Sequence, residues 1–506
     1  MKKYCYIPTG NQVWMDVAID LYERGIAEPV LWLGDDCHYL KAREVFGEAV
    51  VRKQDFVFYP ERVKDIKYTG ENIDFFLSDN YLRAKDRCLK MMDRLDMYGT
   101  FSRLDREVIF NKLTMWALKK ITHAQPKAMV VSETPHSHTY YLIYEICLYL
   151  DLEIVKFNTW PTTPLLFLQD MKTGERFQKE ITIDNDISQA IEKEVLSYVK
   201  SLNGREIKED YELSYMETQR LQLKWKYKVI NFVKSGLLAL IKEYWFQMRM
   251  YFSQYYYPIN PYKIGVFGRS KIKRLRRKNL LGALKETQDI INMRNKYIYF
   301  ALHYEPERTT NPDGGEFHDQ MLAISRLRSL VPSDVGIIVK EHPSQFYMAD
   351  RGARGRSPLF YDCLKNMDGV QLAPMHENSL KLIKNSIFVS TITGSVAFES
   401  AIMGKQSLIF GDTWFNGCPN VILWSSNLSF DDMIDKEVSS PDEIIDFLLA
   451  EKRLYGVPGC LNPSAQKRAA HYLNDSFSDA EFKGISHLLE EFFKSIKVRP
   501  NFRTAT

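Results

Sequence analysis

Short apolar runs alternate with amphipathic segments in two separate parts of the chain, and this alternation restricts the folds open to it. Near the N-terminus, YCYIP is followed by the turn TGN, the segment VWMDVAIDLYERGI and a second apolar run, PVLWLGD. The middle segment has apolar residues at helical spacing and ends at Gly25. A strand, a helix and another strand in succession predict an α/β fold with a parallel sheet.

The same alternation continues to about residue 205 and resumes after residue 290. AMVVSE and EIVKFNT predict strands in the first part, and KYIYFAL, VGIIVKEHP, IFVSTIT and QSLIFGD predict strands in the second. The length of 506 residues is enough for about two to four domains. We predict a Rossmann-like domain over 1–205, a helical linker over 206–290, a second Rossmann-like domain over 291–460 and a C-terminal helical segment over 461–506 that packs back across the domains.

The predicted linker is strongly basic. Between Leu221 and Leu280 there are fourteen Lys or Arg residues and one acid, Glu243, together with many Trp, Tyr and Phe residues. Such a segment suits the surface of an anionic membrane, although its apolar stripe could instead pack on the chain's own domains. Nothing else resembles a nucleic-acid-binding module, so no nucleic-acid partner is expected. The candidate membrane-surface residues are Lys271, Lys273, Arg274, Arg276, Arg277 and Lys278.

Composition excludes several other classes of protein. Apolar residues make up 45% of the chain and charged residues 26%, which is typical of folded globular proteins and not of disordered or collagen-like chains. The seven cysteines are scattered without metal-binding spacing, and neither a signal peptide nor an apolar run of about 18 residues is present. We expect a cytoplasmic protein that has no resident metal or cofactor and lies at the inner face of the membrane.

Polar motifs follow three strands of the predicted second domain, where ligands of parallel sheets bind. Lys340, His342 and Pro343 follow GIIV, and this arrangement favours phosphate binding by the lysine and the histidine. His303 and Glu305 follow KYIYFA.

The third motif lies between IFV and a predicted helix. Its hydroxyls and the free N–H groups of the helix start favour an anion, and Glu399, one turn further on, suits the hydroxyls of a ribose. The candidate anion-binding residues of this motif are Ser390, Thr391, Thr393, Gly394 and Ser395.

The predicted first domain has two further motifs and one isolated carboxylate. Thr9, Gly10 and Asn11 form a small polar turn after the first strand. Glu133, His136 and His138 follow AMVV, where a carboxylate and imidazoles suit acid–base or nucleophilic chemistry. Asp170 is either a third catalytic candidate or a residue of the turn DMKTG.

The familiar phosphate-binding and hydrolase motifs are absent. The sequence contains no P-loop, no GxSxG and no HExxH. The candidate phosphate-binding residues are spread over several strand ends instead. This distribution favours a nucleotide sugar over ATP as the ligand.

Three segments resemble one family of enzymes. YFALHYEPERTT, KEHP and STITGSVAFESAIMGKQSLIFGDTWF, in this order, resemble the capsule and surface polysaccharide biosynthesis glycosyltransferases, which are bacterial Kdo-transferase-like and sialyltransferase-like enzymes of GT-B fold. The element EHP is similar to the HP motif with which such enzymes hold the CMP of a CMP-sugar. The resemblance covers about 296–424 well, covers the segments around Glu133 and Asp170 loosely, and is absent over 206–290.

The resemblance implies two Rossmann-like domains that face each other across a cleft. The donor would bind the C-terminal domain, and the acceptor would bind the N-terminal domain through Thr9, Gly10, Asn11 and His138. It implies no metal requirement, because Lys340, His342 and the helix terminus balance the phosphate charge. In Kdo-transferring members a carboxylate nucleophile gives retention of configuration, and the candidates for this role are Glu133 and Asp170; His136 is a further catalytic candidate.

We therefore expect a glycosyltransferase of capsule, O-antigen or lipooligosaccharide synthesis. It would transfer an ulosonic acid, either Kdo or a sialic-type sugar, from a CMP-sugar to a lipid-linked glycan. Two alternatives stay open: a UDP-sugar-dependent transferase or 2-epimerase of the same fold, and a non-catalytic scaffold of a polysaccharide assembly complex. The sequence leaves the sugar, the linkage and the oligomeric state open.

Overall fold

Two β-sheets organise the chain, one in each of the two units into which it divides. The first unit comprises Met1–Leu89, Glu107–Tyr198 and Ile445–Thr506, and the second comprises Lys90–Arg106 and Val199–Ile444. The structure is a computed structural model. It describes residues 1–34, 36–52, 66–67, 72–95, 102–160, 163–179, 185–203, 214–231, 238, 241, 244–245, 266–306, 309–347, 352, 355–462, 465–466 and 475–496.

The strands are numbered along the chain. They are β1 (Lys2–Ile7), β2 (Ala27–Gly34), β3 (Val50–Arg52), β4 (Ala128–Val131), β5 (Glu153–Thr159), β6 (Leu165–Asp170), β7 (Tyr297–Ala301), β8 (Gly336–Lys340), β9 (Val370–Leu372), β10 (Val389–Thr391), β11 (Ser407–Ile409), β12 (Val421–Leu423) and β13 (Val457–Pro458).

The α-helices are numbered in the same way. They are α1 (Gln12–Glu23), α2 (Tyr39–Phe46), α3 (Ile73–Phe76), α4 (Asp79–Leu95), α5 (Arg103–Ala124), α6 (His138–Tyr149), α7 (Asn185–Asn203), α8 (Ser214–Gln222), α9 (Trp225–Asn231), α10 (Val266–Thr287), α11 (Gln320–Leu330), α12 (Ser344–Tyr347), α13 (Pro358–Lys365), α14 (Ser379–Asn385), α15 (Val396–Ile402), α16 (Asp431–Ile434), α17 (Pro441–Tyr455) and α18 (Asp475–Ser495).

Both sheets have the strand order of a doubly wound fold. The first sheet runs β3-β2-β1-β4-β5-β6-β13, in which β6 pairs in an antiparallel manner with both β5 and β13 and the other neighbours are parallel. The second sheet runs β9-β8-β7-β10-β11-β12 and is parallel throughout. The expected class, α/β with two Rossmann-like domains, is therefore confirmed. The order reverses between β1 and β4 in one sheet and between β7 and β10 in the other, and such switch points open a crevice for ligands.

The C-terminal part of the chain completes the first unit. β13 pairs with β6, so residues 445–460 belong to the first unit and not to the predicted second domain. Helix α18 packs in the core of the same unit, where Phe493 lies 4.9 Å from Tyr4 between ring centroids. We predicted that the C-terminal segment begins at residue 461, but the chain rejoins the first unit at Ile445. The described helix of this segment, α18, packs in the core of the first unit.

The predicted linker is also shorter than expected. Leu280 and Leu284 of α10 are buried in the core of the second unit together with Tyr361 and Leu364 of α13. The apolar side of α10 thus packs on a domain, which is one of the two alternatives that the sequence left open. No helix among the described residues is long and apolar enough to cross a membrane.

Candidate functional site

A cavity of about 850 Å³ lies in the second unit. Its walls are the segments that follow β7, β8, β9 and β10, at the carboxyl edge of the sheet and beside the switch point. The predicted nucleotide-binding residues that line it are His303, Lys340, His342, Pro343, Thr391, Thr393, Gly394, Ser395 and Glu399. The fold thus brings together the three predicted motifs, which begin at His303 and end at Glu399 in the sequence.

The turn after β8 presents one amine and one imidazole to the cavity. Lys340 Nζ donates to Ser379 Oγ at 2.7 Å, and burial lowers the pKa of this lysine to about 8. The backbone N–H of Ser344 donates to Nδ1 of His342 at 3.1 Å. The neutral ring of His342 therefore carries its proton on Nε2. Burial, together with the charges of Lys340 and Arg356, lowers the pKa of His342 to about 4, so the ring is a neutral hydrogen-bond donor near pH 7.

His303 holds the threonine-rich loop after β10. The backbone N–H of Thr393 donates to Nε2 of His303 at 3.1 Å, and Thr391 Oγ1 lies 3.2 Å from the same nitrogen. Burial and the nearby His342 and Arg356 lower the pKa of His303 to about 3, so this ring is also neutral. The loop is so tight that a Cβ at Gly394 would lie 2.8 Å from Thr391 Oγ1 and 3.5 Å from His303 Nε2. A glycine at this position therefore lets the loop close against the wall.

A buried ion pair contacts the backbone of both His303 and His342. Arg356 Nε lies 2.9 Å from Glu341 Oε2, and both side chains are almost fully buried. Arg356 also donates to the carbonyl oxygen of His303 at 2.8 Å, while Glu341 Oε1 accepts from the backbone N–H of His342 at 2.8 Å. The ion pair thus ties the backbones of the two histidines together. Arg356 has no signal in the sequence, because it follows no predicted strand and one of its partners, His303, is 53 residues away.

Two predicted nucleotide-binding residues do not reach the cavity. Glu305 is buried, and its carboxylate accepts from Thr310 Oγ1 at 3.0 Å and from Gln320 Nε2 at 2.9 Å. Ser390 is fully buried within β10. Both were expected to bind the nucleotide, and both expectations are wrong for this structure because their side chains are enclosed by the protein.

The helix after the threonine-rich loop is short. α15 begins at Val396 and has only seven residues. Ser395 does not cap it, and its hydroxyl lies 3.3 Å from Glu399 Oε1 instead. Any anion binding here therefore depends more on the hydroxyls of the loop than on the helix dipole.

Several lining residues had no signal in the sequence analysis. The loop Met375–Ser379 follows β9, a strand of only three residues that is too short to show a periodic pattern. Asn378 in this loop caps α14 by accepting from the backbone N–H of Leu380 at 2.8 Å, and an asparagine before a helix is a signal that could have identified it. Met216 and Arg220 come from α8, within the predicted linker.

In the first unit, the end of β4 places a carboxylate beside an imidazole. His136 Nε2 lies 3.5 Å from Glu133 Oε1, and both side chains are partly exposed. His136 Nδ1 lies 2.8 Å from the carbonyl oxygen of Thr134, which fixes the ring. Lys156 of β5 is buried behind this turn and donates to Thr134 Oγ1 at 3.3 Å. The carboxylate of Glu133 and the imidazole of His136 are therefore neighbours at the end of β4, and their catalytic role stays a prediction.

The predicted acceptor-binding residues are occupied by the chain itself. Thr9 donates to the carbonyl oxygen of Leu461, and Asn11 Nδ2 donates to that of Cys460 at 2.8 Å. The carbonyl oxygen of Gly10 lies 2.8 Å from His38 Nε2. His138 begins α6 and is 1% exposed. These residues hold the C-terminal segment and the first helices in place, so their acceptor-binding role is corrected to a structural one.

Asp170 lies apart from Glu133 and His136. Its carboxylate accepts from the backbone N–H groups of Lys172 and Thr173 at 2.7 and 2.9 Å, which closes the turn after β6. Because β6 is antiparallel to β5, this turn leads to the amino edge of the parallel strands, away from the end of β4. Asp170 is therefore a turn residue here, which was one of its two interpretations.

The predicted membrane-surface residues lie on α10. Arg276 and Lys278 are exposed, whereas Arg277 is half-buried and its Nε donates to the carbonyl oxygen of Phe346 at 3.0 Å. The side chains of Lys271, Lys273 and Arg274 lie outside the described residues. No group of three or more His, Cys, Asp or Glu side chains suited to a metal ion occurs in the part of the chain that the structure describes.

No family model and no curated protein matches this chain. Among solved structures, the KpsC β-Kdo 2,7 transferase of Thermosulfurimonas dismutans has 10% identity and a TM-score of 0.28, and the match covers 73% of this chain and 88% of that chain. The UDP-GlcNAc 2-epimerase of Methanocaldococcus jannaschii has 13% identity and a TM-score of 0.21, with 93% and 99% covered. That of Neisseria meningitidis, bound to UDP-GlcNAc, has 11% identity and a TM-score of 0.21, with 98% and 100% covered.

Proposed function

We propose that the chain is a nucleotide-sugar-dependent glycosyltransferase of bacterial surface polysaccharide synthesis, of GT-B type, that uses a CMP-activated ulosonic acid. The observation that carries this proposal is the cavity at the switch point of the second sheet. Its volume of about 850 Å³ lies within the range of about 300–1,000 Å³ that is usual for small-molecule sites. The resemblance of KEHP and of the threonine-rich loop to CMP-binding motifs supports the choice of nucleotide.

The cavity can hold a phosphate without a metal ion. Lys340 supplies a positive charge at neutral pH, since its pKa of about 8 lies above 7. His342 supplies a neutral N–H from Nε2, and Thr393 and Ser395 of the loop after β10 supply hydroxyl groups. Charge-assisted hydrogen bonds of this kind are the strong contacts of phosphate sites. In the proposed complex, Glu399 binds the hydroxyls of the ribose.

The proposed reaction is the substitution of CMP by an acceptor hydroxyl. The bond between the anomeric carbon and the phosphate oxygen breaks, and the new bond joins the anomeric carbon to the acceptor oxygen. Lys340 and His342 stabilise the negative charge on the leaving CMP. The proton of the acceptor hydroxyl passes to a base, for which the proposed residue is Glu133, with His136 beside it.

The acceptor in this proposal is a lipid-linked glycan, and the basic aromatic segment holds the protein at the inner membrane surface. Helix α9 supports this part, because Trp225 is 70% exposed and Tyr227 is 42% exposed next to the exposed Lys226. Amphipathic aromatic and basic side chains of this kind bind at anionic lipid surfaces. Sedimentation with phosphatidylglycerol vesicles, but not with phosphatidylcholine vesicles, is the expected result, and the variant Trp225→Ser should weaken it.

The first test of the donor is nucleotide binding. Thermal shift and calorimetry with CMP, CDP, UMP, UDP and GDP should give binding of CMP alone. A ligand at 100 times its dissociation constant stabilises the folded state by about 2.7 kcal/mol, which is readily measured. Binding of UDP alone would replace the proposal by a UDP-sugar-dependent transferase or 2-epimerase. Binding of none of the five would favour a non-catalytic scaffold.

A matched pair of lysines tests where the nucleotide binds. Lys340 is buried and Lys405 is half-buried in the second unit, and burial lowers the pKa of both. Lys340 lines the cavity, whereas Lys405 does not. Lys340→Met should weaken CMP binding about tenfold or more, because a hydrogen bond to a charged group contributes about 1.5–3 kcal/mol. Lys405→Met should leave binding unchanged. Equal loss in both variants would place the nucleotide elsewhere.

A further inference from the structure

Helix α8 lies in the predicted linker but forms part of the cavity wall. Met216 and Arg220 of this helix line the cavity together with Lys340 and His342. Residues 216, 219 and 220 share one face of an α-helix, because positions three and four apart are neighbours on its surface. Its sequence lies in the predicted connection between domains and contains none of the strand-end motifs.

A chain of hydrogen bonds ties α8 to the phosphate-binding turn. Ser344 Oγ donates to Gln219 Oε1 at 2.6 Å, and the backbone N–H of the same Ser344 donates to His342 Nδ1 at 3.1 Å. Helix α8 also packs against α12, which begins at Ser344. Arg220 follows Gln219 directly, lines the cavity, and has an exposed side chain.

The cavity wall therefore carries an arginine in addition to Lys340. Lys340 and Arg220 are the lysine and the arginine among its described lining residues, and the lining His303 and His342 are neutral near pH 7. The carboxylate of an ulosonic acid is bonded to the same carbon as the phosphate of its CMP ester. A donor of this class thus brings two anionic groups to adjacent positions. A planar guanidinium matches a carboxylate through two parallel hydrogen bonds.

We infer that Arg220 recognises the carboxylate of the donor sugar and selects acidic sugar nucleotides, while Lys340 and His342 hold the phosphate. This inference rests on the proposed function, because it requires a CMP-sugar in the cavity. Gln219 is a positioning residue that holds α8 against the phosphate-binding turn. In a UDP-sugar enzyme the same guanidinium would instead meet the second phosphate.

The test compares ligands with and without the sugar carboxylate. The affinities of CMP, CMP-Kdo, CMP-N-acetylneuraminic acid and UDP-GlcNAc are measured by calorimetry for the natural protein and for Arg220→Gln. Arg220→Gln should weaken at least one of the two acidic donors about tenfold, since bonds to charged groups are worth about 1.5–3 kcal/mol, and should change CMP affinity less than about twofold. Lys224→Gln is the matched control, because Lys224 is exposed, lies just beyond α8 and does not line the cavity.

A second variant checks that the position of the helix matters. Gln219→Ala should lower the affinity for the same acidic donor without changing that for CMP. It removes the hydrogen bond between Gln219 and the Ser344 hydroxyl but keeps the hydrogen bond from the Ser344 backbone N–H to His342 Nδ1. A merely structural role of Gln219 would lower both affinities together.

The other outcomes separate the inference from the proposed function. Equal loss of CMP and acidic donors in Arg220→Gln, or no loss at all, would overturn the inference alone. Binding of CMP by the natural protein without binding of either acidic donor would also overturn it, while CMP dependence survives. Binding of UDP-GlcNAc that depends on Arg220 would assign this residue to a second phosphate. Absence of all binding would overturn the proposed function and the inference together.

Discussion

Replacement of Arg356 by methionine should damage both the stability of the second unit and its cavity. Arg356 is almost fully buried, pairs with Glu341 at 2.9 Å and donates to the carbonyl oxygen of His303 at 2.8 Å. Methionine fills a similar volume but has no charge and no donor. The substitution therefore leaves the Glu341 carboxylate buried without its counter-ion.

The expected magnitude follows from the remaining partners of Glu341. Removal of one member of a buried ion pair usually costs about 3–5 kcal/mol, because the other charge stays uncompensated. Glu341 would still accept from the hydroxyl of Tyr361 at 2.9 Å and from the backbone N–H of His342 at 2.8 Å. We therefore expect the lower end, about 3 kcal/mol. This corresponds to a fall in melting temperature of about 6–12 °C for a domain of this size.

Two controls separate the buried charge from the loss of an arginine side chain. Arg294→Met removes an exposed arginine of the same unit and should change the melting temperature by little. The double variant Glu341→Leu/Arg356→Met removes both charges and should be less destabilised than Arg356→Met alone, since no uncompensated charge remains. Calorimetric unfolding and CMP affinity are measured for each variant.

Either of two results would contradict a stabilising role for the buried ion pair of Arg356 and Glu341. The first is a change in Arg356→Met no larger than that in Arg294→Met, which would mean that the pair contributes nothing. The second is a double variant that is less stable than the single one, which would mean that packing rather than charge compensation dominates. Unchanged CMP affinity in Arg356→Met would show that the histidine positions do not depend on the ion pair.

Three further predictions concern pH, a glycine and the C-terminal segment. Burial lowers the pKa of His342 from 6.5 to about 4 and that of His303 from 6.5 to about 3. Between these values the unfolded chain binds more protons than the folded chain, so the contribution to stability is complete above pH 6.5 and should fall as the pH decreases towards 3. Urea denaturation that shows no such dependence on pH would contradict this prediction. Gly394→Ala should weaken CMP binding in titrations, because its Cβ would lie 2.8 Å from the hydroxyl oxygen of Thr391. The control is Gly282→Ala, whose Cβ would lie in open space on a helix and which should stabilise the folded protein by about 0.5–1 kcal/mol. Asn11→Ala should cost about 1–3 kcal/mol in denaturation, because Asn11 is buried and bonded to the C-terminal segment, while CMP affinity stays the same. An unchanged free energy of unfolding would contradict this structural role.

Much of the fold was predictable because its signals are local. Alternation of apolar strands and amphipathic helices predicted two parallel sheets, and buried runs such as AMVV of β4 are typical of central parallel strands. The strand ends then predicted most of the cavity wall, since the carboxyl ends of parallel strands meet at one edge. Lys340, His342 and the threonine-rich loop were identified in this way.

The errors concern residues whose role depends on distant parts of the chain. The turn after β1 looked like an open ligand site, but the segment at Cys460 and Leu461 returns and accepts hydrogen bonds from Thr9 and Asn11. Glu305 looked like a ligand residue, but Gln320 and Thr310 enclose it. A sequence pattern shows that a polar side chain follows a strand and does not show which partner reaches it first.

The sequence by itself determined the two α/β units and the strand-end positions of the phosphate-binding motifs, because hydrophobic periodicity and turn residues act over a few neighbours. Only the tertiary structure decided that α8 closes one side of the cavity, that Arg356 ties His303 to His342, and that α18 belongs to the first unit. These contacts join residues that are far apart in sequence. They form because buried apolar surface and buried polar groups must find partners when the whole chain packs, which no local pattern specifies.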